Sequence, residues 1–192
     1  MRAFFDIDTQ IDFVFPAGAL YAPGAKCVLP QVTHLNRLAA SHNIPLFSTM
    51  CAHGENAAEF RDWPPHCVSG TAGQLKPAST LLERRATVPN RPFDLSRLAG
   101  DQILVEKDAL DLFTNPNIDA LLAHFSVDEC FVYGVLTEFC VRHAIMGLLA
   151  RGHKVSLIPD ATAHLSAAEA DRVLQHFVAA GGQVVSSPQL AV

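Results

Sequence analysis

Cys140 is the residue whose surroundings suggest chemistry most directly, because a thiol becomes a strong nucleophile when its environment favours the thiolate. It follows an apolar run at residues 131–134 and precedes an apolar-periodic stretch that continues through Leu149. This pattern predicts a turn between a strand and a helix. Because the first amide N–H groups of a helix favour negative charge, we expect the pKa of Cys140 to lie below that of a free thiol. Taken alone, Cys140 fits better as a small buried core residue, because free cysteine is among the most buried residue types.

Two other strand-like runs end in residues that could act with this thiol. Residues 3–7 are followed by Asp8, and residues 102–106 are followed by Lys107. The carboxyl ends of the strands of a parallel α/β sheet lie along one edge, so these two side chains and Cys140 are predicted to meet there. The ammonium would stabilise the thiolate, and the carboxylate would hold the amine and accept the thiol proton. Attack by the thiolate on a carbonyl carbon is the chemistry that this set favours.

Alternating extended and helical patterns would position these residues. Extended runs occur at residues 3–8, 45–49, 102–107, 129–135, 153–158 and 183–186. Helical spacing occurs at residues 28–39, 115–125, 140–149 and 167–180. A segment of loops and short pieces extends to about Gly100, and loops of that length often build binding sites. The alternation is typical of a doubly wound sheet with helices on both faces.

Composition agrees with a compact enzyme. A chain of 192 residues, 49% of them hydrophobic, suits one α/β domain over residues 1–192. The 14 Lys and Arg against 19 Asp and Glu give a formal charge of -5, and without a basic run this argues against nucleic acid as a partner. We expect no membrane span or signal peptide, no disulfides among the five cysteines, and a cytoplasmic location that keeps a reactive thiol reduced.

Four motifs in order give the chain a family resemblance. They are DTQIDF at residues 8–13, WPPHCVSGT at 63–71, EK at 106–107 and GVLTEFCV at 134–141. With them the chain resembles the cysteine hydrolases of the isochorismatase-like superfamily, most closely the nicotinamidase (pyrazinamidase) branch. The resemblance spans nearly the whole chain. It implies a three-layer α/β/α sandwich around a six-stranded, mainly parallel sheet.

The resemblance also implies a reaction and the residues that surround it. A small primary amide, nicotinamide or a related compound, would be cleaved to its acid and ammonia through a thioester on Cys140. A cis peptide bond between Val135 and Leu136 would point the Leu136 N–H at the oxyanion beside that of Cys140. Phe13, Trp63, Val135 and Leu136 would contact the substrate. Relatives of this kind are often homo-oligomers, so a homo-oligomer is expected here.

A metal site is implied in the long loop region. Positions that usually carry Asp, His, His and His in nicotinamidases are here occupied by Cys51, His53, Glu59 and His66. Thiolate, imidazole and carboxylate are all ordinary zinc donors, and a thiolate favours zinc over manganese or magnesium. We therefore expect a divalent metal, zinc in the first place. The alternative is that this branch has lost the metal and keeps two pocket histidines.

Two other functions stay open. One is a different hydrolase of the same fold, such as an isochorismatase-type vinyl ether hydrolase, which does not need the thiol of Cys140. The other is a catalytically silent binding module. The presence of Asp8, Lys107 and Cys140 together argues against the binding module.

Overall fold

The computed structural model describes residues 1–190, and every strand pair within them is parallel. The strands are β1 (Arg2–Ile7), β2 (Leu46–Cys51), β3 (Arg85–Val88), β4 (Gln102–Lys107), β5 (Glu129–Gly134), β6 (Lys154–Thr162) and β7 (Gln183–Val184). They form one sheet in the order β3-β4-β2-β1-β5-β6-β7. The first strand of the chain thus lies at the centre of the sheet.

Helices cover both faces of this sheet. They are α1 (Ile11–Val14), α2 (Leu29–Ser41), α3 (Ile118–His124), α4 (Arg142–Ala150) and α5 (Ala167–Ala179). Helices α3, α4 and α5 pack on one face in the larger hydrophobic cluster, and α1 and α2 pack on the other. In the part of the chain that the structure describes, no helix has the length and apolar character needed to cross a membrane.

The predicted α/β sandwich is confirmed, with one more strand than expected. All six predicted strands are present, and β3 adds a seventh at the edge beside β4. Its four residues are mostly exposed or half-buried, so β3 lacks the apolar run by which the inner strands are recognised. The helix predicted from residue 115 begins only at Ile118, because the Asn115 side chain donates to the Glu106 carbonyl of β4 and the Asn117 side chain donates to the Arg91 carbonyl.

Gly134 ends β5 where the chain passes closest to β1. Its φ is +117°, and a Cβ built on it would overlap the backbone of Ile7. We expect Gly134→Ala to lower the free energy of unfolding by about 2 kcal/mol or more, from the backbone conformation and the overlap together. Gly152→Ala is the matched control, because Gly152 has a φ of +83° but open space around it. Urea unfolding of both variants measures the difference, and equal losses would contradict the close packing at Gly134.

Candidate active site

The carboxyl ends of the central strands carry the predicted catalytic residues. Lys107 ends β4 and is paired in register with Cys51, which ends β2, so the two side chains leave the sheet side by side. Asp8 directly follows β1 with a φ of +46°, a left-handed conformation that aspartate tolerates better than most residues. Cys140 comes to the same edge from the turn after β5. The structure therefore brings the three predicted catalytic residues together.

Lys107 lies at the centre of this group. Its Nζ is 2.8 Å from Asp8 Oδ2, 3.6 Å from Cys140 Sγ and 3.2 Å from Cys51 Sγ. Both Asp8 and Lys107 are completely buried. The Thr49 hydroxyl donates to Asp8 Oδ1 at 2.6 Å, and Lys107 also donates to the Ala109 carbonyl at 2.9 Å. These contacts fix the ammonium between one carboxylate and two sulfur atoms.

The electrostatics of the buried pair favour its charged form. Burial acts to raise the pKa of Asp8, but the Lys107 ammonium and hydrogen bonds from Cys140, Lys107 and Thr49 outweigh it, so that pKa lies below its ordinary value. Burial acts to lower the pKa of Lys107, but Asp8 and the two thiols outweigh it and hold that pKa well above its ordinary value. Asp8 is thus an ionised carboxylate, as a proton acceptor must be, and the Lys107 ammonium links it to the Cys140 sulfur.

The two thiols share the attraction of a single ammonium. The hydrogen bond between them lowers the pKa of Cys51 and, together with burial, raises the pKa of Cys140 well above its ordinary value. The expectation of a lowered pKa on Cys140 itself is therefore wrong for the free protein. Its cause is the second thiol, since a pair of sulfur atoms facing one lysine carries one negative charge and retains one proton.

The turn that carries Cys140 departs from a regular helix. Residues Thr137–Val141 form an irregular, π-helical turn in which Phe139 has φ −119° and ψ −109°, and α4 begins only at Arg142. The predicted turn between strand and helix is therefore present, but Cys140 precedes α4 rather than starting it. The peptide bond between Val135 and Leu136 is cis, as the resemblance implies.

A cavity of about 70 Å³ opens over Cys140. Its walls are mainly apolar and include all four residues predicted to contact the substrate: Phe13, Trp63, Val135 and Leu136. Trp63 packs edge-on against Phe139, with ring centroids 5.4 Å apart, and this pair forms one side of the cavity. Cys51, Glu59 and His66 also line it. A flat apolar ring could therefore reach the thiol and the polar groups at once.

Three of the four predicted metal ligands form one cluster. The ligand atoms of His53, Glu59 and His66 all lie within 4.8 Å of one another. Cys51 is not in this cluster, because its thiol lies against Lys107 and 3.7 Å from Asp8 Oδ2. The resemblance to nicotinamidases and the donor chemistry of a thiolate grouped Cys51 with the metal ligands, whereas the pairing of β2 with β4 directs its side chain to the lysine.

The donors in this cluster suit a metal ion. Both ring nitrogens of His53 are buried without a hydrogen-bond partner, which is costly unless something binds them. His66 Nδ1 lies 2.8 Å from the Pro64 carbonyl, which leaves Nε2 as the free donor atom, and burial lowers the pKa of His66 so that its ring stays neutral. Glu59 oxygens lie 3.9 Å from His53 Nε2 and 3.8 Å from His66 Nε2.

Sequence reasoning missed the residues that hold this loop region against the sheet. The Gln10 side chain accepts from the Cys51 N–H at 2.7 Å and donates to the Cys51 carbonyl at 2.8 Å. Asp12 Oδ2 accepts from the Cys67 N–H at 2.7 Å, which anchors the backbone next to His66. Both belong to the first motif. A carboxylate between two apolar residues, Ile11 and Phe13, was the signal that could have identified Asp12.

Comparison with known proteins agrees with this architecture. The Isochorismatase domain model matches residues 2–189. The chain is 25% identical to N-carbamoylsarcosine amidase of Arthrobacter sp over 161 residues, which cover 81% of this chain and only 56% of that relative. It is 26% identical to nicotinamidase/pyrazinamidase of Mycobacterium tuberculosis over 195 residues, covering 97% of this chain and 100% of the relative.

A solved structure gives the same result in three dimensions. The pyrazinamidase of Pyrococcus horikoshii in complex with zinc superposes with a TM-score of 0.82 at 26% identity, covering 96% of this chain and 98% of that one. As the four motifs predict, the chain therefore belongs to the isochorismatase domain family.

Proposed function

We propose that this chain is a cysteine amidohydrolase that converts a small primary amide, nicotinamide or a close analogue, to its carboxylic acid and ammonia. The observation that carries the proposal is the meeting of Asp8, Lys107 and Cys140 beneath a small apolar cavity. Hydrolysis of carbon–nitrogen bonds in amides is also the activity for which the relatives described above are named.

The reaction begins with transfer of the Cys140 proton to Asp8. The sulfur then attacks the carbonyl carbon, and Lys107 stabilises the thiolate as it forms. Negative charge develops on the amide oxygen, and the N–H groups of Leu136 and Cys140 are the proposed donors to it. Return of the proton from Asp8 to the nitrogen releases ammonia and leaves an acyl thioester on Cys140.

Water completes the reaction. Asp8 accepts a proton from the water that attacks the thioester, and the acid leaves as the Cys140 thiol is restored. Burial of Asp8 and Lys107 keeps this exchange away from bulk solvent. Phe13 and Trp63 would lie against the flat face of the substrate, which suits an aromatic amide better than a long aliphatic one.

His53, Glu59 and His66 are the proposed metal ligands, and zinc is the proposed metal. The resemblance to nicotinamidases adds Cys51 as a fourth ligand, but its contact with Lys107 makes it part of the catalytic group instead. A bound ion would supply a positive charge and a coordination position for a ring nitrogen of the substrate. Glu59 and His66 line the cavity and so connect the two sites.

Zinc is expected to bind once per chain at this cluster. His66→Asn should weaken zinc binding by about 100-fold or more, because the remaining two side chains are too few to hold the ion tightly. Titration calorimetry on chelator-stripped protein measures the affinity. His176→Asn is the control, since His176 is exposed and lies outside the cluster. Equal zinc affinity in the wild type and His66→Asn would place the ion elsewhere.

Ammonia release from a panel of nicotinamide, pyrazinamide, benzamide and acetamide tests the function. We expect turnover of the ring amides and little of acetamide, which leaves most of the cavity empty. Loss of nicotinamide turnover after chelation, with benzamide turnover retained, would show that the metal binds the ring nitrogen. Absence of ammonia from every amide, with the folded protein intact, would overturn the proposal.

The reactive thiol and the family resemblance also bear on where the protein works and on how it assembles. We propose the cytoplasm, because a thiol nucleophile requires a reducing environment. We also propose that the protein forms a homo-oligomer, as the resemblance implies. Sedimentation velocity would measure the mass of the assembly.

A further inference from the structure

Two cysteines, not one, face the catalytic lysine. Cys51 Sγ lies 3.2 Å and Cys140 Sγ 3.6 Å from the same Lys107 Nζ, so both sulfur atoms converge on a single nitrogen. The two thiols therefore lie side by side at one ammonium. The amide hydrolysis proposed above needs only the nucleophile Cys140. A second thiol beside the same lysine has no role in that reaction.

Both thiols can be reached by a small reagent. Cys51 is 2% and Cys140 is 6% exposed, but both line the cavity through which a substrate would arrive. The remaining cysteines lie elsewhere: Cys27 is exposed, and Cys67 and Cys130 are buried outside the cavity wall. Burial raises the pKa of Cys130 to about 12, and because this thiol does not line the cavity, a small reagent has no comparable route to it.

We propose that Cys51 is a resolving thiol that captures oxidised Cys140 as an intramolecular disulfide and so switches the hydrolase off reversibly. Hydrogen peroxide is the oxidant. The shared proton passes to Cys51, the Cys140 thiolate attacks one peroxide oxygen, the O–O bond breaks, hydroxide leaves, and Cys140 becomes a sulfenic acid. The Cys51 sulfur then attacks that sulfur, the S–O bond breaks, water leaves, and the disulfide forms. A dithiol reductant restores both thiols.

The second thiol changes the fate of the first under oxidation. A sulfenic acid without a neighbouring thiol is oxidised further to sulfinic and sulfonic acids, which are not restored by thiols. Lys107 stays paired with Asp8 at 2.8 Å, so the ammonium is not left without a partner when the sulfur charge disappears. The pair therefore protects a nucleophile that a single cysteine would lose.

Thiol counting with peptide mapping tests the proposal on the full chain as purified. The reduced protein contains five free thiols, and brief treatment with equimolar peroxide is expected to leave three. Mass spectrometry of a non-reduced digest should show the peptides of residues 51 and 140 joined, with the loss of two hydrogen atoms. Dithiothreitol should restore all five thiols and the ammonia-releasing activity.

Cys51→Ser and Cys27→Ser are the matched variants. After peroxide, Cys51→Ser should carry added oxygen on Cys140 that dithiothreitol does not remove, whereas Cys27→Ser should still lose two thiols reversibly. Wild-type protein in which Cys140 gains oxygen while Cys51 stays free, or links to Cys67 or Cys130 instead, would overturn the proposal. The disulfide mapping does not depend on catalytic turnover, so it tests the disulfide even if the protein hydrolyses no amide. If Cys51→Ser does not fold, the mapping of the wild-type protein alone still decides the proposal.

Discussion

Replacing Cys140 with alanine is expected to lower kcat for ammonia release by about 10⁴-fold or more, because the thioester can no longer form. The folded state should persist, since the change removes only one small side-chain atom. The remaining activity would come from Asp8 and Lys107 acting on water, which is a weaker nucleophile held in no fixed position. Initial rates with nicotinamide or benzamide, together with thermal unfolding, measure both effects.

Cys130→Ala provides the comparison for this variant. Cys130 is a buried thiol of β5 that lies outside the cavity, so its loss should leave kcat within about twofold while costing similar packing energy. A Cys140→Ala protein that retains a tenth or more of the wild-type rate would show that Cys140 is not the nucleophile. Cys51 would then be the first residue to examine, because it contacts the same lysine.

Replacing Lys107 with methionine is expected to have the largest effect on stability. Asp8 and Lys107 are both completely buried and 2.8 Å apart, and removing one partner of such a pair costs about 3–5 kcal/mol because the other charge is left uncompensated. Activity should disappear with it. Urea unfolding measures the loss, and the double variant Asp8→Asn/Lys107→Met should recover part of it, since no charge is then buried. If Lys107→Met is as stable as the wild type, Asp8 must already be protonated in the wild-type protein.

The pH dependence of unfolding distinguishes these states. In the wild type the pKa of Asp8 lies below its ordinary value of 3.8, so its contribution to stability is present above that value and is lost as the pH falls through the folded-state pKa. In Lys107→Met the hydrogen bond from Thr49 remains, but without the ammonium we expect burial to outweigh it and to raise the pKa of Asp8 in the folded state. Stability is then lost as the pH rises through that pKa. The variant should therefore become more stable on mild acidification, with a slope opposite in sign to that of the wild type under acid.

The sheet was largely predictable from the sequence, and its edge was not. Inner strands such as β1 are apolar on both faces and stand out as continuous runs. Strand β3 has one buried residue, Val88, and forms because the edge of β4 offers its four residues a pairing partner. Such pairing is a tertiary effect that local sequence does not carry.

The candidate site divides in the same way. Asp8, Lys107 and Cys140 were predictable because each follows a recognisable strand, and parallel strands deliver their carboxyl ends to one edge. The contact between Cys51 and Lys107 was not predictable from the sequence. The resemblance indicates a metal ligand at Cys51, whereas the register of β2 beside β4 decides where its thiol points. Register between strands 56 residues apart in sequence cannot be obtained from either strand alone.

The central place of β1 has a consequence for the growing chain. β1 pairs with β2 on one side and with β5 on the other, and β5 is completed only at Gly134. During synthesis the edge of β1 that pairs with β5 therefore stays unpaired until residue 134 has been made. Contacts so distant in sequence slow folding. Nascent chains stalled before residue 134 should be the form of this protein most prone to aggregate and most dependent on chaperones.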